Sequence, residues 1–215
     1  MRLLSVAGGL VVVALCFAVA IGSRGRSPGN RAPIARPTQE AQARVSPAAK
    51  IVAAAHAEAA ERAIYTVGYF RIKYPNGDLP RNQGVCTDVV IRALRGAGFD
   101  LQKLIHEDMK RHFLGYPRRE AHPDSNIDHR RVPNQMHFFQ RFGRTLTEST
   151  DSAHRRAWKP GDIVYWKLPS GLDHAGVLSD RIGPSGLPMV IHNLSVCCEE
   201  DVLGAWKIQG HFRYR

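Results

Sequence analysis

Cysteine is scarce in this chain, with four among 215 residues, at positions 16, 86, 197 and 198. Cys197 and Cys198 are adjacent and can close only a strained ring with each other. They read as free or mutually paired thiols without a catalytic role. With His192 or His211 they offer no standard zinc spacing, so neither a metal nor a cofactor is expected. Acidic residues are also few, 19 against 30 Lys and Arg, for a formal net charge of +11. The excess does not describe a nucleic-acid surface. Residues 1–50 hold seven Lys or Arg against one acidic residue, while residues 51–215 hold 23 against 18. Arg130-Arg131 and Arg155-Arg156 are too short to form a basic stripe with aromatic partners, which excludes a nucleic-acid partner. A mildly basic surface suits a polyanionic cell envelope. No internal repeat occurs, and the only long apolar run stands at the start.

That run, Leu3 to Ile21, follows Arg2 and is broken only by Ser5, the pattern of an export signal. Ala18-Val19-Ala20 offers a small-x-small cleavage site. At about nineteen residues the run is also just long enough to span a bilayer, so membrane attachment through residues 3–21 is the competing reading. Residues 22–47 are rich in Arg, Pro, Gly, Ser and Ala without apolar periodicity and read as a disordered linker. Residues 48–215 then form the folded domain of an exported, periplasmic or envelope-associated protein.

Within that domain, Ala48 to Ile64 is Ala-rich and predicts a helix. Tyr74 to Pro80 is turn chemistry. Apolar residues at Val89, Val90, Ala93, Leu94 and Ala97 predict an amphipathic helix that opens at Cys86 and stops at Gly96 and Gly98. Leu101 to Phe113 predicts another. Residues 116–134 are polar and interrupted by three prolines, and they read as a solvated insertion or a functional loop. Gln135 to Phe142 predicts a short helix with Met136, Phe138, Phe139 and Phe142 facing the core. Strands are expected over Ile163–Trp166, His174–Ser179 and Met189–Asn193, with one or two more between Ala205 and Tyr214. Helices first and an antiparallel sheet afterwards define an α+β fold.

The chemistry gathers on three residues. A thiol in the first turn of a helix lies near unpaired N–H groups and the positive end of the macrodipole, both of which favour thiolate. Cys86 is therefore the candidate nucleophile. His174, opening a strand, would hold the thiolate as an ion pair and protonate the leaving amine. His192, on the neighbouring strand, would fix the His174 tautomer. Gly176, lacking a side chain, would let the Cys86 helix approach the sheet. Asn126 to Arg131 could line a groove and grip a carboxylate through a guanidinium fork.

Val85-Cys86-Thr87-Asp88-Val89-Val90 followed by Ala97-Gly98-Phe99-Asp100-Leu101 resembles the nucleophile helix of the NlpC-type cell-wall peptidases. Lys159 to Trp166 is similar to that family's turn into its first core strand, His174-Ala175-Gly176-Val177 to its base strand, and Val190-Ile191-His192-Asn193 to the strand bearing its third polar residue. Residues from about 50 onward resemble more closely an exported family, domain of unknown function 1287, through Gly84–Ala93, Asn126–Asn134 and Leu172–Asp180. The resemblance implies a papain-like fold and an exported cysteine amidase or endopeptidase that cleaves amides in peptidoglycan stem peptides. It also implies a tyrosine near the oxyanion site, for which Tyr74 is the candidate. Tyr74, Asp88, Asp128, His129, Arg130 and Asn193 make up the candidate substrate-binding set. Two features depart from the NlpC pattern. Asp88 stands where a small residue or Gly is common, and a carboxylate there opposes ionisation of the thiol unless it is paired. The insertion at 116–134 is the other. A non-catalytic envelope-binding module, or an acyltransferase or esterase on the same scaffold, are the alternatives.

Overall fold

A computed structural model of the chain describes residues 45–117 and 120–214. The export signal or anchor read at residues 1–21, and most of the 22–47 linker, lie outside the described residues. Among the described residues no helix is long and apolar enough to cross a membrane.

The expected α+β architecture is present. Helix α1 spans Pro47–Glu61, α2 Cys86–Gly96, α3 Leu101–His112 and α4 Val132–Phe142. Both α1 and α4 start earlier than the sequence suggests, each with a proline in its first turn. A first-turn proline gives up an N–H that has no intrahelical partner anyway, so it starts a helix rather than breaking one. A parallel pair of two-residue strands, β1 (Ile64–Tyr65) and β2 (Gln83–Gly84), leads into α2. The main sheet is antiparallel, in the order β3-β8-β4-β5-β6-β7. Its strands are β3 (Arg144–Thr145), β4 (Ile163–Lys167), β5 (Asp173–Ile182), β6 (Pro188–Asn193), β7 (Cys197–Glu200) and β8 (Lys207–Arg213). Strand β7 has no counterpart in the sequence reading, because Cys-Cys-Glu-Glu shows neither β-branching nor apolar alternation.

The strand period of two sorts the side chains onto two faces. Ile163, Tyr165, Ala175, Val177, Ile191 and Phe212 pack beneath the helices, with Cys86 among them. Val164, Trp166, Leu178 and Val190 face the other way, under Trp158, Leu187 and Leu203. Gly176 belongs to this second face. A Cβ there would lie 2.5 Å from Val190 and 3.2 Å from Trp166, so the glycine makes room for these side chains and not for α2, as the sequence had suggested. The glycine that brings helices together is Gly96, where an added Cβ would stand 2.3 Å from the Ala54 Cβ on α1.

Helix α2 is not amphipathic in its setting. Every residue from Cys86 to Leu94 is buried, including Thr87, Asp88 and Arg92. Arg92 is held by Glu58 on α1 at 3.0 Å and by Asp78 at 2.9 Å, which ties the turn before β2 to both helices. Phe142, expected in the core, is exposed, while Phe138 and Phe139 are buried.

At the far end of the sheet, Asp162 is wholly buried and accepts hydrogen bonds from His211 at 2.8 Å and from Arg213 at 2.6 and 2.7 Å. Burial alone would raise the Asp162 pKa, but His211 and Arg213 outweigh it and hold the carboxyl below its usual value. The stability this contributes is present above the unfolded pKa and is lost as pH falls through the folded one. Asp162→Ala, which strands both partners, should cost about 3–5 kcal/mol in urea unfolding at pH 7.

Candidate active site

Tyr65 pairs with Gly84 in the β1–β2 ladder, two residues before Cys86. The chain then turns into α2 with Val85 extended, and the Asp88 carboxylate accepts the Val85 N–H at 2.7 Å. Cys86 is therefore the first residue of the helix, as expected. It opens into a cavity of about 350 Å³ lined by Tyr65, Thr87, Arg130, Arg131 and Asp173 among others. The residue is nevertheless buried, and burial pushes the thiol pKa up to about 12. Asp88 adds to the rise, against the N–H groups of Ala175, Thr87 and Cys86 itself, which favour the thiolate. The resting group is thus a thiol and not the thiolate that the helix terminus alone suggests, because desolvation outweighs the terminus.

The position of His174 follows from strand alternation. Its side chain belongs to the second face, with Trp166 at 5.7 Å and Trp206 at 5.6 Å between ring centroids, whereas Cys86 packs on the helical face. What reaches the Cys86 sulfur is the backbone of the next residue, Ala175, at the end of a ladder. Pairing of β5 with β6 stops at Gly176–His192, one residue short of Ala175. Leu178 bonds toward β4, so by alternation Ala175 turns its N–H to the β6 side, where it meets the Cys86 sulfur. The His174 ring leans to the same side, its Nε2 lying 2.9 Å from Nδ1 of His192. No hydrogen bond between Cys86 and His174 is present among the described residues. Nε2 of His192 lies 2.9 Å from the Glu200 carboxylate, so the series runs His174–His192–Glu200. With the Glu200 carboxylate as acceptor, His192 carries its proton on Nε2 and accepts from His174 Nε2, leaving the His174 Nδ1 lone pair free. Burial, and then His192, push His174 down to about 3, so it rests as a neutral imidazole.

The candidate substrate-binding residues fare differently. Tyr74 is not at Cys86. It sits in the turn before β2, edge-on to His106 at 5.2 Å. The tyrosine beside the sulfur is Tyr65, whose pKa is raised to about 12 by burial and then by Cys86. Asn193 is buried and donates to the carbonyls of Ala63 at 3.0 Å and Gly84 at 3.3 Å, fastening the end of β6 to the strand before Cys86. Asp128, His129 and Arg130 are buried at 1 %, 2 % and 8 % exposure, so this part of the insertion is not a solvated loop. Arg130 grips Asp88 with Nε at 2.9 Å and Nη2 at 2.8 Å, and its fork is spent inside the protein rather than on a ligand. Thr87 donates to the Arg130 carbonyl at 2.9 Å, and Gln135 bridges the His129 carbonyl and the Tyr165 hydroxyl, each at 2.8 Å. The insertion is bolted to the helix that carries Cys86. Asp173, Tyr65 and Glu200 were missed by sequence reasoning, whereas Arg131, read within the Asn126–Arg131 stretch, does line the cavity. For Asp173 a usable signal existed in its place beside His174, whereas Tyr65, at the end of β1, reaches the site only through the pairing with Gly84.

These features define an α+β protein with a cysteine-centred candidate site. Residues 52–214 match the family described as domain of unknown function (DUF1287), and the chain belongs to that family. Over 153 residues it is 50% identical to the uncharacterized protein YijF of Escherichia coli (strain K12), a span covering 70% of this chain and 73% of that relative.

Two outcomes follow from the buried charges. Arg130→Met leaves the Asp88 carboxylate unpaired in the interior and should cost about 3–5 kcal/mol. Combined with Asp88→Ala, much of that loss should return apart from ~1 kcal/mol for the lost cap. A double-mutant cycle by urea unfolding checks the coupling, and additive losses would refute it. His129, which burial and then Arg130 push down to about 3, stays neutral while the unfolded histidine protonates. Its depressed pKa makes stability fall as pH drops below ~6.5. His129→Gln should remove up to about 1.4 kcal/mol per pH unit from that slope between pH 6 and 4.

Proposed function

We propose that the chain is an exported cysteine amidase or endopeptidase of papain-like, NlpC-type fold that hydrolyses amide bonds in peptidoglycan stem peptides. The observation that supports this reading is the placement of three features around one open strand end. Cys86 stands at a helix N-terminus, the Ala175 N–H is aimed at its sulfur, and the His174–His192–Glu200 series lies on the same side of β5. Nε2 of His174 is engaged by His192, so Nδ1 is the atom that takes the thiol proton. Because both partners rest neutral, proton transfer accompanies attack instead of preceding it.

Sulfur adds to the amide carbonyl while its proton passes to His174. The tetrahedral oxyanion is met by the Tyr65 hydroxyl and the N–H groups at the helix mouth. Collapse returns the proton from His174 to the leaving amine and leaves a thioester. Water then attacks, with His174 taking its proton, and releases the carboxylic acid and the thiol. His192 and Glu200 hold the ring in the tautomer that presents Nδ1. Arg131 and Asp173 line the cavity together, though Glu120 and Lys167 already pair with them, so a peptide with charges of both signs would have to share or displace these partners.

A second reading, an envelope-binding module without turnover, is favoured by the deep burial of the sulfur, at 4% residue exposure, and by the absence of a Cys86–His174 hydrogen bond. Digestion of purified sacculi separates the two. The enzyme reading expects soluble stem-peptide fragments, a product loss of about 10⁴-fold in Cys86→Ala, and the same products with chelator present. No fragments from the wild type, or unchanged fragments from Cys86→Ala, would overturn it. An added amine captured in the product would mark the acyltransferase variant. In the free protein, alkylation of Cys86 should climb through pH 9 without a plateau, because the thiol is pushed up to about 12. A plateau near neutrality would show a preformed ion pair instead.

A further inference from the structure

We propose that His192, Cys198 and Glu200 form a binding site for a thiophilic divalent cation, zinc foremost, on the β6–β7 hairpin. The register builds it. His192 pairs directly with Cys198, and Glu200 is two residues further along β7, so all three side chains leave the same face of the sheet. Each offers one ligand atom, and these atoms lie within 4.8 Å of one another. Tetrahedral zinc with bonds of ~2.0–2.3 Å needs donors ~3.3–3.7 Å apart, a change that side-chain rotation supplies. The donor set of one imidazole, one thiolate and one carboxylate is of a kind that zinc accepts, with water as the fourth ligand. The Glu200 side chain is half exposed and Cys198 is partly exposed, which gives the ion a way in, while His192 is wholly buried. Nδ1 of His192 already has a partner in His174, the outer-shell contact that metal-bound histidines use.

The ion would act on the candidate base through the proton count. Without metal, His192 holds its proton on Nε2 and His174 holds one on Nε2, leaving His174 Nδ1 basic. A cation on His192 Nε2 displaces that proton. The proton shared between the rings passes from His174 Nε2 to His192 Nδ1, and His174 takes one on Nδ1. Each imidazole keeps one proton, and the single net proton released comes from the Cys198 thiol. His174 then carries N–H at Nδ1 and cannot accept the Cys86 proton there. This coupling rests on the enzyme reading above; the metal site itself does not.

Cobalt(II) titration of the full chain, kept reduced without thiols, tests the site. The expected result is one equivalent bound, with a sulfur-to-cobalt charge-transfer band that zinc displaces. The band should vanish in Cys198→Ser, affinity should fall at least 10-fold in Glu200→Gln, and Cys86→Ala should leave both intact. No band in folded wild type, or a band surviving Cys198→Ser in protein of native circular dichroism, overturns the proposal. Nitrogen-15 NMR of the histidines reads the coupling. Zinc should move the His174 proton from Nε2 to Nδ1, and an unmoved proton refutes the relay. Both readouts are independent of turnover, so a wild type that releases no fragments from sacculi would leave the metal result standing on its own.

Discussion

The Asp88–Arg130 ion pair is the contact on which the site depends. Asp88 stands two residues from the candidate nucleophile, inside the protein, where an uncompensated carboxylate costs several kcal/mol and opposes ionisation of the thiol. Arg130 meets it with two charge-assisted hydrogen bonds, and Asp88 also accepts the Val85 N–H that starts the helix. One carboxylate thus caps α2, neutralises its own partner and draws the insertion down over the first turn. The two departures from the cell-wall peptidase pattern, an aspartate beside the thiol and an extra polar segment, account for each other physically.

That closure also explains the state of the sulfur. Covering the helix mouth with Thr87, Arg130 and Gln135 interactions excludes water, and dehydration raises the thiol further than the N–H groups around it can lower it. Separate burial on the other face, beside Trp166 and Trp206, keeps His174 neutral. On the proposed reading, two buried neutral groups would exchange a proton only once a substrate carbonyl offers somewhere for charge to go. Rest and turnover would then differ in where a proton sits rather than in a preformed ion pair.

The open end of β5 is the second constraint. Had β6 continued its pairing by one residue, the Ala175 N–H would belong to the sheet and no in-plane place would exist for the sulfur. Asn193 closes the end of β6 by turning its amide to the Ala63 and Gly84 carbonyls, and the ladder terminates at His192. Asn193, which the sequence reading had assigned to substrate, thus ties the end of β6 to the β1–β2 pair that leads into α2.

The sequence by itself determined most of the elements: four helices, from periodicity at Cys86 and composition elsewhere, the central strands but not β7, Cys86 at a helix start, and His174 with His192 on neighbouring strands. These are legible because short-range periodicity and capping are local properties of the chain. The tertiary structure alone decided which tyrosine reaches the sulfur, since Tyr65 arrives through a parallel pairing with Gly84 that no local pattern encodes. It decided that Arg130 serves Asp88, 42 residues away in sequence, and that Glu200 completes a series begun at His174. It also decided the protonation of Cys86, because a helix terminus can be read from neighbours along the chain, whereas desolvation depends on everything that folds over it.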